Sequence, residues 1–292
     1  MEQLIKLYSF ESVYQTPDEA AIADYICEEI EKAGGSYMRE GNNIYNFHDK
    51  EKPILSAHLD QVETNGKAVH FAQDDKGIIK AWNEKWQRTS LGADDKNGVW
   101  IILQLIKKYP NLNYIISSGE ERGCIGINHL DKENVLAENI SDKQFCIVLD
   151  RRGGTDVLSG GGASTYCKTL AQDICNYLGD DRLTVTTGSL SDTATICKYC
   201  ESVNMSVAYD SPHTAKETTD FNRLNDILNY VDRLVSGDFI HYSTKPSVYR
   251  TSSAVSTLYS TYYGSKGKSN GKTREQIKED LWDDEYYGRW GY

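Results

Sequence analysis

Two histidines and several carboxylates fall in five short segments of the chain, most of them directly after an apolar run. The segments are His58-Leu59-Asp60, Gly92-Ala93-Asp94-Asp95-Lys96-Asn97-Gly98, Gly119-Glu120-Glu121-Arg122-Gly123, Leu149-Asp150 and Ser211-Pro212-His213-Thr214. Taken singly, each of them is more typical of an ordinary loop or a solvated face. Together they would bury several carboxylates, at a cost of several kcal/mol each without cations. Imidazole and carboxylate groups are ligands of Zn²⁺, so the pattern predicts a site for two divalent metal ions.

The order of these segments resembles a known enzyme superfamily. His-x-Asp, Gly-Ala-Asp-Asp-Lys-x-Gly, Glu-Glu-x-Gly-x-x-Gly, Asp and His follow one another as in the co-catalytic dizinc exopeptidases, which include aminopeptidases, carboxypeptidases and peptidase T-like tripeptidases. The third motif reads Glu120-Glu121-Arg122-Gly123-Cys124-Ile125-Gly126, glycines included. The resemblance covers about residues 1–243, and the five motifs in this order form a specific joint pattern.

The resemblance implies which residues bind the metal ions. One ion would be bound by His58, Asp94 and Asp150. The other would be bound by Asp94, Glu121 and His213, so that Asp94 bridges the pair. Zn²⁺ is the metal that the donor types favour, with Co²⁺ and Mn²⁺ as alternatives.

The resemblance also implies that Glu120 is the general base and that Asp60 orients His58. If the segment is extended, adjacent side chains diverge, so Glu120 would not share the ion of Glu121. Glu120 could then take the proton of a water activated by the two cations and pass it to the leaving amine. Asp60 lies two residues after His58 and would point to the same side, where it can accept the imidazole N–H.

Short apolar strands alternate with helices along the body of the chain. We predict strands at 44–47, 53–57, 113–117, 145–149 and 203–207, a β-hairpin from 68–71 and 77–82, and helices at 4–8, 17–32, 98–107, 162–177 and 218–235. This alternation favours an α/β fold of three layers, with a largely parallel central sheet covered by helices. In such sheets the ligand site lies beyond the carboxyl ends of the strands.

We expect residues 1–243 to form one catalytic domain. In the carboxypeptidase and tripeptidase branch a lid domain is inserted between the ligand Asp and the last His. Only about 60 residues separate Asp150 from His213, too few for another domain. The single-domain aminopeptidases therefore fit better, although the motif at 92–98 is more tripeptidase-like.

Residues 244–292 differ in composition from the body. A Ser/Gly/Tyr-rich linker leads into a tail that mixes acidic residues with Trp and Tyr. We expect this tail to be dispensable for chemistry and to mediate self-association or binding of a protein partner, since Tyr and Trp are favoured at interfaces. A strap packed across the body is the alternative.

Charge and composition limit the remaining partners. The net charge of −11 and pI of 5.1 argue against nucleic acid and against an anionic membrane surface. The sequence has no apolar run long enough to span a membrane, and its seven cysteines are scattered and odd in number. We expect no secretory signal, because the first residues lack a basic segment followed by an apolar one. We therefore expect a cytoplasmic protein.

The sequence thus predicts a metal-dependent exopeptidase that hydrolyses short peptides, in particular an aminopeptidase. Two alternatives stay open: a deacylase or amidohydrolase of N-acyl amino acids, and a non-catalytic binding or structural module of the same fold. Three further residues have two interpretations each. Asp192 either lines the site or caps a helix N-terminus. Arg151 and Arg152 follow Asp150, and an Arg there either binds a substrate carboxylate or pairs with nearby acids.

Overall fold

The computed structural model describes residues 1–49, 52–141, 143–162, 164–239 and 241, all within one compact unit. The helices are α1 (Glu2–Tyr8), α2 (Pro17–Lys32), α3 (Ala93–Lys108), α4 (Ile125–Lys132), α5 (Val135–Ile140), α6 (Leu170–Leu178), α7 (Thr193–Ile196) and α8 (Phe221–Val235), with a 3-10 helix at Glu120–Arg122. The strands are β1 (Met38–Glu40), β2 (Asn43–Asn46), β3 (Ile54–His58), β4 (His70–Gln73), β5 (Ile78–Trp82), β6 (Arg88–Thr89), β7 (Asn113–Ser117), β8 (Cys146–Arg151), β9 (Asp156–Gly161), β10 (Ser164–Thr165), β11 (Thr184–Gly188), β12 (Ser202–Ser206), β13 (Tyr209–Asp210) and β14 (Thr218–Asp220). The predicted domain boundary at 243 and the tail 244–292 lie outside the described residues.

The central sheet has nine strands in the order β1-β2-β7-β3-β8-β12-β9-β10, with β11 paired to β9. The four middle strands β7, β3, β8 and β12 are parallel. The flanking pairs are antiparallel, except that β11 runs parallel to β9. The carboxyl ends of β3, β7 and β8 therefore lie side by side. The residues that follow or end these strands include three of the predicted site segments.

Side chains of the middle strands alternate between two apolar cores. In β7, Tyr114 and Ile116 pack into one core and Ile115 into the other, and in β3 Leu55 and Ile54 divide in the same way. Successive strand residues point to opposite faces, so an unbroken apolar run is buried on both sides. Helices α1, α2, α3, α6 and α8 contribute to the larger core, and α4, α5 and α7 to the smaller one. The predicted three-layer α/β fold is confirmed.

A second sheet of five strands, β13-β14-β5-β4 with β6 paired to β5, contains the predicted hairpin. His213 lies in the loop that joins strands β13 and β14 of this sheet. The last predicted metal ligand is therefore positioned by this smaller sheet and not by a strand of the central one.

Two helices begin later in the structure than the sequence predicted. The helix expected at 162–177 begins only at Leu170, because residues 164–165 form β10 and pair with β9. The helix expected at 218–235 begins at Phe221, since 218–220 form β14 and pair with β5. In both places backbone pairing with a distant strand replaces the local helical pattern. No helix in the described parts of the chain combines the length and apolar character needed to cross a membrane.

Candidate metal site

The site is built where β3, β7 and β8 end. His58 is the last residue of β3 and Asp150 lies in β8, while Glu120 and Glu121 occupy the 3-10 helix that follows β7. Asp94 lies in the first turn of α3 and is joined to Asp95 by a cis peptide bond. Four segments remote in sequence thus meet at one edge of the sheet.

The structure brings together the residues of the first predicted ion. His58 Nε2 lies 3.2 Å from Asp94 Oδ1 and 3.6 Å from Asp150 Oδ1. Zn–N and Zn–O bonds of about 2.1 Å at a tetrahedral angle place two ligand atoms about 3.4 Å apart. These three side chains therefore have the spacing of zinc ligands.

The residues of the second predicted ion also meet. His213 Nε2 lies 3.2 Å from Asp94 Oδ2 and 2.7 Å from Glu121 Oε1. The second contact has a hydrogen-bond length. Asp94 thus directs one carboxylate oxygen to each imidazole, which is the geometry of a carboxylate that bridges two metal ions.

Contacts with Asp60 orient the imidazole of His58. Its Nδ1 lies 3.1 Å from the backbone carbonyl of Asp60 and 3.5 Å from the Asp60 carboxylate. When Nδ1–H donates there, Nε2 is left with its lone pair directed at Asp94 and Asp150. The predicted orienting contact between Asp60 and His58 is present, with the backbone oxygen closer than the carboxylate.

The Asp60 carboxylate has a second set of partners that the sequence did not indicate. Its two oxygens accept the backbone N–H groups of Glu120 at 3.0 Å and Glu121 at 3.2 Å. Asp60 is fully buried, so these bonds fix the turn that carries both glutamates. The turn is a 3-10 helix and not the extended segment expected. With three residues per turn, adjacent side chains still diverge by about a third of a turn.

We expect Asp60→Asn to lower kcat and the affinity for the metal ions by about 10- to 100-fold each, as when a partner of a metal ligand is lost. The amide retains only one acceptor oxygen for the two backbone N–H groups. Steady-state kinetics and metal titration of the variant check this. Unchanged kinetics with normal metal binding would show that the two hydrogen bonds do not position Glu120.

Two more acidic residues support Asp94 and His58. Asp95 accepts the backbone N–H of His58 and that of Gly98, both at 3.1 Å, which ties the start of α3 to the end of β3. Glu217 accepts the backbone N–H of Asp94 at 3.1 Å and is fully buried. Asp95 could have been suspected from the sequence, because it follows Asp94 in the same motif. Nothing in the sequence indicated Glu217.

Glycines in two motifs allow close approach of the elements that carry the ligands. A Cβ at Gly98 would collide with the Leu149 carbonyl and lie 2.6 Å from Asp95 Oδ1. A Cβ at Gly126 would collide with the Ser118 carbonyl at the end of β7. Any side chain at these positions would push α3 or α4 away from the sheet.

Burial raises the pKa of three carboxyl groups of the site, and neighbouring negative charges add to the shift. Burial, with the charge of Asp94, raises the pKa of Glu121 to about 7, and burial raises that of Asp150 to about 6. Burial and the Asp150 charge raise the pKa of Glu120 well above its ordinary value. For Asp94 burial acts in the same direction, but hydrogen bonds with His213 and His58 outweigh it and lower the pKa. Buried acids in this arrangement are stabilised by cations.

Burial would lower the pKa of both imidazoles, but their carboxylate partners outweigh it, so the pKa values of His58 and His213 are raised. The donor set is two imidazoles and several buried carboxylates. Its chemistry and its spacing fit two zinc-class ions.

The structure decides between the two interpretations of Asp192 and of Arg151. Asp192 is the residue before α7, but its side chain makes no capping hydrogen bond, so the helix-cap interpretation is wrong. Its carboxylate accepts a hydrogen bond from Ser117 at the end of β7. Arg151 Nε contacts Asp156 Oδ2 at 3.1 Å, which is the pairing with a nearby acid.

No protein-family model and no curated protein sequence matches the chain. Solved structures do match it. A tripeptidase from Staphylococcus aureus has a TM-score of 0.64 at 17% identity, covering 80% of this chain and 96% of its own. The TET1 peptidase of Pyrococcus horikoshii has a TM-score of 0.60 at 14% identity, with 80% and 98% covered. A Zn-dependent exopeptidase from Parabacteroides distasonis has a TM-score of 0.57 at 16% identity, with 80% and 95% covered. The resemblance seen in the motifs is thus confirmed at the level of the fold: this chain has the α/β fold of the zinc-dependent exopeptidases.

Proposed function

We propose that the protein is a metal-dependent exopeptidase that cleaves short peptides, in particular an aminopeptidase with two zinc ions. The observation that supports it most is the position of Asp94, whose two oxygens each lie 3.2 Å from a different imidazole. Each imidazole has a further carboxylate beside it, Asp150 or Glu121. The three similar structures named above are those of peptidases, which agrees with this assignment.

In the proposed mechanism, His58, Asp94 and Asp150 would hold one ion, and Asp94, Glu121 and His213 would hold the other. The ions, when bound, polarise the scissile carbonyl and make a water more acidic. Each imidazole would lose its Nε2 proton on binding and offer the nitrogen lone pair, and the Asp94 carboxylate would serve both positions.

Glu120 is the proposed general base. Its neighbour Glu121 contacts His213, and Glu120 Oε1 lies on another side of the turn, near Cys124. The raised pKa of Glu120 suits a group that accepts a proton from water and then delivers it to the leaving amine. Asp60 keeps Glu120 in place through the backbone.

A substrate series tests the proposed function. The purified protein, with Zn²⁺ or Co²⁺ added, is assayed on a free-amine tripeptide, its N-blocked counterpart and an N-acyl amino acid. We expect hydrolysis of the free-amine peptide alone, at a rate strongly lowered in Glu120→Gln prepared in parallel. Cleavage of the N-acyl amino acid alone would identify an amidohydrolase. No hydrolysis of any substrate by the metal-loaded protein would support a non-catalytic module.

We expect Zn²⁺ to raise the melting temperature of the metal-free protein by about 5–10 °C. A ligand present at 100 times its Kd stabilises by about 2.7 kcal/mol, and each kcal/mol shifts Tm by about 2–4 °C in a domain of this size. Thermal unfolding with and without Zn²⁺ measures the shift. Mg²⁺ is the control, because it favours oxygen ligands and should act weakly. An equal shift with Mg²⁺, or none with Zn²⁺, would contradict the ligand set.

A further inference from the structure

A third group of metal-binding side chains lies beside the proposed pair of ions. It consists of Glu120, Cys124 and Asp192, whose ligand atoms all lie within 4.8 Å of one another. Glu120 belongs to the 3-10 helix, Cys124 immediately precedes α4, and Asp192 immediately precedes α7. Three chain segments therefore direct one thiol and two carboxylates to a common point. We name these three residues the thiol cluster.

Asp192 carries a poorly satisfied oxygen in this cluster. Among the described residues, Oδ1 of this 2% exposed residue has no hydrogen-bond partner other than the nearby Cys124 thiol, while Oδ2 accepts a hydrogen bond from Ser117. A thiol is a weak donor, and a buried carboxylate oxygen with no better donor costs free energy. Because α7 is not capped by this side chain, helix capping does not account for the position of Asp192. A cation between Oδ1 and the thiol would provide a stronger partner.

The spacing of the thiol cluster agrees with zinc coordination. Cys124 Sγ lies 3.6 Å from Glu120 Oε1. A Zn–S bond of about 2.3 Å and a Zn–O bond of about 2.1 Å at a tetrahedral angle place sulfur and oxygen about 3.6 Å apart. One thiolate with two carboxylates suits Zn²⁺ or Cd²⁺ and is a poor set for Mg²⁺.

We propose that the thiol cluster binds a third zinc-class cation, and that this cation inhibits hydrolysis by occupying Glu120. Binding displaces the Cys124 thiol proton to solvent and changes no oxidation state. The inhibitory part rests on the proposed role of Glu120 as general base. Excess zinc would then inhibit an enzyme that needs zinc. It would act through Glu120, which is not a ligand of either of the two proposed zinc ions.

Cadmium binding tests the third site without reference to activity. The protein already loaded with two zinc ions is titrated with Cd²⁺, and the ultraviolet thiolate-to-cadmium absorption is recorded. We expect one equivalent to produce the band, and Cys124→Ser to abolish it. Cys175→Ser is the matched control, because Cys175 is a half-buried cysteine in α6 outside the thiol cluster, and it should retain the band. A band unchanged in Cys124→Ser, or no band in the starting protein, would overturn the proposal.

Zinc inhibition tests the consequence for the reaction. Activity on the free-amine peptide is followed as Zn²⁺ rises beyond two equivalents. The activity of each protein is normalised to its own value at two equivalents of Zn²⁺. We expect Cys124→Ser to need at least about 10-fold more Zn²⁺ for half inhibition, since it lacks one ligand. Asp192→Asn is the second variant and should shift inhibition in the same direction. A cadmium band without any peptidase activity would contradict the proposed function while the third site stands. Equal inhibition of all variants would overturn the inhibitory role.

Discussion

Glu120→Gln is expected to lower kcat on a free-amine peptide by about 10²–10⁴, the range for loss of a general acid–base group. Gln has nearly the same shape but cannot accept the proton of the attacking water. The content of metal ions should stay nearly the same, because Glu121, and not Glu120, contacts His213. Steady-state kinetics and metal analysis of the same preparation check both parts.

Glu40→Gln is the matched control for this variant. Glu40 in β1 forms a half-exposed ion pair with His129 in α4, neither of them a candidate site residue, and such pairs contribute about 0–1 kcal/mol. We expect normal turnover for Glu40→Gln. Loss of bound metal together with activity in Glu120→Gln would show that Glu120 is a ligand. Turnover equal to that of the unmodified protein would remove the proposed mechanism.

Asp94→Asn should reduce the number of bound metal ions more than any other variant, because the Asp94 side chain is a proposed ligand of both ions. An amide offers a single carbonyl oxygen, so only one of the two imidazole partners of Asp94 can share a metal ion with it. We expect the variant to bind fewer than two ions and kcat/KM to fall by about 10³ or more, since the pair of ions contributes several kcal/mol to the transition state.

The stoichiometry of bound metal is measured by equilibrium dialysis, and circular dichroism verifies that the variant is folded. Asp24→Asn is the control. Asp24 is an exposed residue of α2 that pairs with Arg39, so this variant should change neither the metal stoichiometry nor the fold. Two ions bound at full affinity in folded Asp94→Asn would contradict a bridging role. The sites would then have to be independent of one another.

The sequence by itself determined much of the fold and the set of candidate site residues. Apolar runs such as 113–117 predicted strands because residues buried on both faces leave a continuous hydrophobic pattern. The helix at Pro17–Lys32 has the bounds expected from its Pro-Asp-Glu start and the glycines after it. Since carboxyl ends of parallel strands meet at one edge, the positions of His58, Glu121 and Asp150 after or within strands predicted their proximity.

Only the tertiary structure decided which side chains support that site. Asp60 bonds to the turn at Glu120, sixty residues later, and Glu217 bonds to Asp94 across an even longer separation. The side chain of Asp192 turns towards Ser117 and Cys124 and leaves its helix uncapped. The local sequence around one of these residues carries no information about its partner. A hydrogen bond forms only where the folded sheet brings two segments within about 3 Å of each other. For the same reason local helical patterns at 164–165 and 218–220 yielded to strand pairing.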